Sequence, residues 1–149
     1  MTSLSIKLSS PAFTNNSFIP SRFSCDGENI NPQLDIDHLP EGTKSLALIV
    51  DDPDAPKGTW VHWVVWNIPV TLQLKENHIP GNEGVNDFKQ KHWGGPCPPS
   101  GTHRYFFKIY ALDSLLDLPA DTDKFRLEKS MHHHILAVGE LVGLYKREH

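Results

Sequence analysis

Three apolar segments constrain the fold of this chain more than any other feature of its sequence. They cover Thr43–Val50, Trp60–Ile68 and His103–Leu112, and they are rich in the β-branched and aromatic residues that favour strands. The glycine, proline and aspartate residues near their ends are typical of turns. Because both faces of each segment carry apolar side chains, we predict three central strands of a sheet that is covered on each side.

Size and composition are those of one globular domain. The chain has 149 residues, of which 38% are hydrophobic and 21% charged, and these proportions are typical of a folded rather than a disordered protein. In the first half, short apolar runs alternate with turn residues, and we find no internal repeat or low-complexity linker. We therefore predict a single, mainly β domain over residues 1–149.

The C-terminal third has a different pattern, which predicts helix over Asp121–Tyr145. From Ile135 onward, apolar residues recur at three- and four-residue spacing, as on one face of a helix. Gly139 or Gly143 is expected to interrupt this helix. The three histidines His132–His134 are predicted to lie on its surface, because successive helical side chains turn by about 100° and cannot converge on one metal ion.

The net charge argues against nucleic-acid binding, and the short apolar runs argue against a membrane span. The net charge is −4, with no basic patch for nucleic acid, and the longest apolar runs are too short for a membrane span. Met1–Pro11 has no secretory signal, which predicts a cytoplasmic location. Cys25 and Cys97 are therefore expected to be reduced, although both lie in loop-like segments and a disulfide between them is the alternative.

Two of the predicted strands carry histidines that are candidates for chemistry. Alternation along a strand places His62 on one face with Trp60, Val64 and Trp66. A buried histidine that is hydrogen-bonded to a backbone carbonyl is the alternative interpretation. The same alternation places His103 and Tyr105 on one face, where they can act together as an anion clamp or simply as satisfied polar groups at a strand end.

The acidic run Asp51–Asp54 follows the first apolar segment and is stiffened by proline. Its carboxylates can orient a histidine, bind a cation or cap the turn. The run lacks the spaced ligands and central glycine of a calcium loop, so we predict no metal site. No phosphate-binding loop or nucleophile motif is present, so the sequence predicts no cofactor and does not require an enzyme.

Taken together, the motifs of this chain resemble the phosphatidylethanolamine-binding protein family, which includes the Raf kinase inhibitor proteins, and in particular its bacterial YbhB/YbcL-type branch. The resemblance spans residues 13–147, and its main motifs are Asp52–Pro56, Trp60–Trp63, Asn67–Pro69, Gly94–Gly101 and His103–Tyr105. It implies an antiparallel β-sandwich with a long pocket-lining loop and a C-terminal α-helical segment. It also implies a pocket for phosphate-like anions, including phospholipid head groups.

The resemblance further implies which residues form that pocket. They are Asp52, His62, His103 and Tyr105, with Asp54 and the loop residues Gly94, Gly95 and Pro99 as further members. A cis Ala55–Pro56 bond is also implied. Trp93 stands where bacterial relatives often have tyrosine, and we expect it at the rim of the pocket.

The sequence therefore predicts a binding protein for small anions or phosphate head groups. His62, His103 and Tyr105 would donate hydrogen bonds, and backbone N–H groups of the glycine-rich loop would assist them. Charged histidines predict tighter binding at pH 6 than at pH 8. The alternatives are an inhibitor or regulator of a partner protein, such as a protease or kinase, and a weak hydrolase that uses a His–Asp pair. A homodimer through exposed aromatic residues such as Trp93 is a further hypothesis.

Overall fold

The computed structural model describes residues 4–147, which form two packed β-sheets with one α-helix. The strands are β1 (Leu4–Ser5), β2 (Lys7–Ser9), β3 (Ser17–Phe18), β4 (Leu34–Asp37), β5 (Ser45–Asp52), β6 (Trp60–Ile68), β7 (Gln73–Leu74), β8 (Asn82–Glu83), β9 (His103–Leu112) and β10 (Ile135–Tyr145), the helix is α1 (Lys124–Met131), and a 3-10 turn covers Ser21–Phe23. The prediction of a mainly β fold with a C-terminal helical segment is confirmed.

The three predicted strands lie inside the larger sheet. Its strand order is β1-β10-β9-β5-β6-β8, and β3 also pairs with β10, whereas β2, β4 and β7 form the smaller sheet. The pairings are antiparallel except that β1 and β3 run parallel to β10. The bounds of β6 and β9 match the prediction, whereas β5 begins and ends two residues later than expected. Asp51 and Asp52 therefore belong to the strand.

Two hydrophobic clusters cover opposite faces of the larger sheet. One lies between the two sheets and contains Leu48, Val50, Trp63 and Phe107 together with residues of the smaller sheet. The other contains Ile49, Val64 and Trp66 and is covered by α1 through Leu127 and Met131. Burial of apolar surface on both faces is the main source of stability for such a sandwich.

The outer face of β9 is less covered than predicted. Arg104 on this face is exposed, and Phe106, Lys108 and Tyr110 are half-buried. The reason is that α1 packs against β6, so its cover does not extend over the whole of β9. The prediction that side chains are buried on both faces therefore holds for β5 and β6, and it was wrong for β9.

The prediction of a helix from Asp121 to Tyr145 was wrong in extent. Asp123 caps α1 by accepting a hydrogen bond from the Arg126 backbone N–H at 3.0 Å, and the helix ends at Met131. His132–His134 form the following turn, in which His133 has a φ of 74°, so these histidines are not on a helix surface.

The segment after this turn is strand β10, whose apolar residues fit a period of two as well as the helical period. Its two glycines favour the strand. A Cβ at Gly139 would lie 2.5 Å from the Ile6 carbonyl oxygen, and one at Gly143 would lie 2.4 Å from Ile19 Cγ1. Glycine also costs about 1 kcal/mol relative to alanine inside a helix. Close approach of neighbouring chain segments to β10 therefore explains the glycines that looked like helix interruptions.

The expectation of reduced cysteines was also wrong, because Cys25 and Cys97 form a disulfide with their Cα atoms 5.4 Å apart. Two hydrogen bonds join the same two loops. The Cys25 N–H donates to the Pro96 carbonyl at 3.1 Å, and the Gly95 N–H donates to Asn29 Oδ1 at 2.8 Å. Within residues 4–147, no helix has the length and apolar character needed to traverse a lipid bilayer.

Candidate functional site

A cavity of about 200 Å³ lies where the inner faces of β5, β6 and β9 end. Its wall includes the four polar residues that the sequence analysis selected as the main site, Asp52, His62, His103 and Tyr105. Pro99 also lines it, as expected. The remaining wall is formed by Ala55, Pro56, Trp60, Phe88, Cys97 and Pro98. Three strands and two loops thus bring together residues that are far apart in the sequence.

A β-bulge turns His62 toward this cavity. Asp51 pairs with Val61 and Val50 pairs with Trp63, so His62 is the extra residue on β6. The simple alternation predicted for this strand is therefore interrupted, and Val64 and Trp66 lie in the cluster on the opposite face. Bulges commonly re-aim a side chain next to a functional site.

The His62 ring is held by the loop that covers it. Its Nδ1 donates a hydrogen bond to the Gly94 carbonyl oxygen at 2.6 Å, and its ring packs edge-on against Phe88 and Tyr105. Burial lowers the pKa of the imidazole, although the Gly94 carbonyl and the Asp52 carboxylate act in the opposite direction. The neutral form with a proton on Nδ1 is therefore favoured.

His103 is held by a carboxylate instead. Its Nδ1 donates to Asp52 Oδ2 at 2.7 Å, and the two side chains are only 8% and 4% exposed. The backbone N–H of Asp54 donates to the second oxygen of Asp52 at 2.8 Å. Asp51 points to the other face of the sheet, where Lys124 and Lys108 approach its carboxylate at 2.9 and 3.3 Å. Asp52 thus keeps His103 oriented with a proton on Nδ1.

The Tyr105 hydroxyl is the third polar group of the cavity. It is buried and forms no hydrogen bond of ordinary geometry with a residue in the described range 4–147, although the Asp52 carboxylate and the Cys97 backbone lie close to it. Burial raises the pKa of this phenol, and the nearby Asp52 carboxylate adds to the effect. The phenol is therefore protonated at neutral pH and has a hydrogen to donate. Buried hydroxyl groups without a partner are uncommon, and a bound ion or an ordered water is one of the recognised explanations for them.

Asp54 does not line the cavity, which corrects its assignment to the pocket. Its carboxylate forms a two-pronged ion pair with the Arg104 guanidinium, at 2.8 and 2.9 Å, and also accepts the Arg104 backbone N–H at 2.9 Å. Hydrogen bonding to Arg104 lowers the pKa of Asp54 to about 2. The pair joins the turn after β5 to the start of β9, so its role is to support the cavity wall.

Replacing Arg104 by alanine should raise the pKa of Asp54 from about 2 toward its ordinary value of 3.8. The ion pair exists only while Asp54 is ionised. The contribution of this pair to the free energy of unfolding is therefore complete above the ordinary pKa of 3.8 and is lost as the pH falls through about 2. A carboxyl ¹³C NMR titration measures this shift. Arg126→Ala, which removes an exposed partner of Asp121, is the matched control and should leave Asp54 unchanged. An unchanged Asp54 in Arg104→Ala would contradict the assignment.

Gly94 and Gly95 do not provide the predicted backbone donors. The Gly94 N–H donates to the His62 carbonyl at 3.2 Å, and the Gly95 N–H is used by Asn29. Their role is close packing, because a Cβ at Gly94 would lie 2.6 Å from the Phe88 ring. The contribution of Gly94 to the site is its carbonyl oxygen, which holds His62.

Asn86 organises residues 86–92 of the long loop, to which no site residue was assigned from the sequence. Its side-chain amide donates to the carbonyls of His62 and His92 at 3.0 and 2.9 Å, and its Oδ1 accepts the N–H groups of Phe88 and Gln90 at 3.0 Å. This fixes Phe88 at the mouth of the cavity beside Trp60, with ring centroids 5.5 Å apart. Phe88 is an isolated aromatic residue in a polar stretch, and this is the sequence signal that could have identified it.

Two further expectations were wrong. Trp93 is only 5% exposed and is not at the rim, because its ring packs on Trp63 and Phe107 and its Nε1–H donates to the Phe23 carbonyl. Residues 4–147 contain no cis peptide bond, so the Ala55–Pro56 bond is trans. The sulfur of Cys97, which lies in the cavity wall, is in the disulfide and is therefore not a free thiol nucleophile.

The fold and the site define a class of protein, namely a β-sandwich with a small cavity lined by histidine, tyrosine and aspartate. The family model described as phosphatidylethanolamine-binding protein matches residues 9–146. The chain belongs to this family, and the resemblance noted in the sequence to its YbhB/YbcL-type branch is confirmed.

Relatives and solved structures agree with this assignment. A UPF0098 protein from Pyrococcus horikoshii is 46% identical over 97% of this chain and 78% of its own length. A crystal structure of a phosphatidylethanolamine-binding protein homologue from Chlamydia trachomatis is 38% identical and has a TM-score of 0.93 over 97% of this chain and 99% of its own. The Escherichia coli protein YbcL, described as a member of the mammalian family, is 28% identical with a TM-score of 0.89 over 97% and 100%.

Proposed function

We propose that this protein binds small anions with a phosphate-like group in the cavity around His62, His103 and Tyr105. The observation that carries the proposal is the convergence of these side chains, from β6 and β9, on one cavity of about 200 Å³. Imidazole and phenol groups are suited to hydrogen-bonding the oxygens of an oxyanion. The unpartnered hydroxyl of Tyr105 is a donor available for such a bond.

The carboxylate of Asp52 does not prevent anion binding, because it is paired with His103. A buried carboxylate is stable only when its oxygens are satisfied, and those of Asp52 accept hydrogen bonds from His103 Nδ1–H and from the Asp54 backbone N–H. Because Nδ1 is engaged in this way, Nε2 is the nitrogen of His103 that is left to contact the ligand. Asp52 therefore acts by orienting the donor rather than by contacting the anion.

The cavity size favours a head group over a whole lipid. At about 200 Å³ it is smaller than the ~300–1,000 Å³ that is usual for drug-sized ligands. A phosphate group with a small substituent fits this space, whereas acyl chains would remain outside. Trp60 and Phe88 are 39% and 38% exposed at its wall and offer apolar contact to such a substituent.

Calorimetric titration with inorganic phosphate and with phosphoethanolamine at pH 5.5 tests the proposal. We expect one saturable site with a Kd of about 1 mM or tighter, since charged donors contribute on the order of 1.5–3 kcal/mol each. The side-chain NMR signals of His62, His103 and Tyr105 should change on binding. An absence of saturable binding, or signal changes confined to other residues, would contradict the proposal.

The phosphate group of a phosphorylated partner protein presents the same chemistry, and a regulator role through this cavity stays a proposal on that basis. The cytoplasmic location predicted from the sequence likewise stays a proposal. Trp93 is buried and does not contribute to such a surface, and the homodimer predicted through exposed aromatic residues stays a proposal.

A further inference from the structure

The two histidines of the cavity differ in the group that holds each ring. His103 Nδ1 donates to the Asp52 carboxylate, whereas His62 Nδ1 donates to the Gly94 backbone carbonyl. A carboxylate favours a charged imidazolium, while a carbonyl requires only that Nδ1 carries a proton. Both rings therefore use Nδ1 for support, and Nε2 is the nitrogen that each ring has left for the cavity.

The surroundings of His62 favour its neutral form. The groups around the ring are the aromatic side chains of Phe88 and Tyr105, the carboxylate of Asp52 and the carbonyls of Gly94 and Gly95, and the carboxylate of Asp51 acts on it from the other face of the sheet. The carboxylates and carbonyls favour protonation, but burial has the larger effect and lowers the pKa of the ring. A neutral ring with its proton on Nδ1 has a lone pair on Nε2, which accepts a hydrogen bond. This reverses the donor role that the sequence analysis predicted for His62.

We propose, building on the anion site proposed above, that the cavity selects phosphomonoesters in their monoanionic form, because Nε2 of His62 accepts a hydrogen bond from the P–OH group. Nε2–H of His103 and the hydroxyl of Tyr105 then donate to the ionised oxygens. One acceptor and two donors match a ligand that has one acidic hydrogen and one negative charge. A sulfate ester or a phosphodiester has no such hydrogen, so one of its oxygens would face the lone pair of His62.

The charge of the cavity leads to the same ligand. The Asp52 carboxylate lies in the cavity wall, so a ligand with one negative charge is repelled less than a ligand with two. The second pKa of a phosphomonoester is about 6, and the monoanion therefore predominates below that pH. Tighter binding at pH 6 than at pH 8, as predicted from the sequence, is then expected from the proton of the ligand.

Titration with methyl phosphate, methyl sulfate and dimethyl phosphate at pH 5.5 tests this selectivity. All three carry about one negative charge at that pH, but only methyl phosphate has an acidic hydrogen. We expect methyl phosphate to bind about tenfold or more tightly than either of the others, because an oxygen placed against an unpaired acceptor loses a hydrogen bond. Equal affinities would overturn the selectivity and leave the anion site standing. A lack of binding by all three would overturn the anion site itself.

The protonation state of His62 provides a second test that needs no substitution. Histidine ¹⁵N NMR of the protein with bound methyl phosphate should show His62 neutral, with its proton on Nδ1. A doubly protonated His62 in that complex would overturn the inference. His62→Gln places an amide that can either donate or accept, so it should bind methyl phosphate and methyl sulfate with similar affinity. Retention of the full preference by this variant would also contradict the role of His62.

Discussion

Replacing His103 by glutamine should weaken the binding of phosphate by about 30-fold or more. Glutamine can still donate to Asp52, but it cannot carry a positive charge to offset this carboxylate, and its single amide cannot serve Asp52 and the ligand as the two ring nitrogens do. It also removes Nε2, and a hydrogen bond that an imidazolium donates is roughly twice as strong as one from a neutral amide. Calorimetric titration with inorganic phosphate at pH 5.5 measures the loss.

The matched control for this variant is His134→Gln. His134 is also paired with a carboxylate, that of Asp113 at 2.8 Å, but the pair is about half exposed and lies outside the cavity. This variant should bind phosphate like the unchanged protein. Thermal unfolding of both variants shows whether the fold is retained. Unchanged affinity in folded His103→Gln would contradict the central role of His103.

Replacing both cysteines by alanine should lower the free energy of unfolding by about 4 kcal/mol. The disulfide closes a loop of 72 residues, and the loss of chain entropy in the unfolded state increases with the length of the closed loop. Urea denaturation followed by tryptophan fluorescence measures this difference. Single cysteine variants are less suitable because they leave a free thiol.

The unchanged protein treated with a thiol reductant is the control, and its stability should fall to that of Cys25→Ala/Cys97→Ala. Two hydrogen bonds that do not use the cysteine side chains still join the loops, namely those from the backbone N–H of residue 25 to the Pro96 carbonyl and from the Gly95 N–H to Asn29. The affinity for phosphate should therefore change much less than the stability. Equal stability of the double variant and the oxidised protein would contradict this account.

Parts of the fold could be predicted because their signals are local. β6 and β9 have the predicted bounds, since strand-forming residues between clear turn residues define each of them. β10 could not be distinguished from helix in the same way. The spacing of its apolar residues fits the periods of both a strand and a helix. The strand forms because this segment pairs with β9 and because Ile6 and Ile19 approach its glycines closely.

The site was predictable to a similar degree. The residue types and the ordered motifs identified Asp52, His62, His103 and Tyr105, all of which line one cavity. Alternation along β6 could not predict the bulge at His62, because a bulge depends on the register with the neighbouring strand. Gly94 and Gly95 were assigned as donors although their N–H groups have other partners, and only the packed loop shows this.

The amino-acid sequence by itself determined the mainly β fold, its three central strands and the four polar residues of the cavity, because residue type and periodicity act over short distances along the chain. The tertiary structure decided which group holds each imidazole, and therefore which ring donates and which accepts. The partners of His62 and His103 are 32 and 51 residues away in the chain, so only packing brings them together. The same holds for the disulfide, whose cysteines are 72 residues apart.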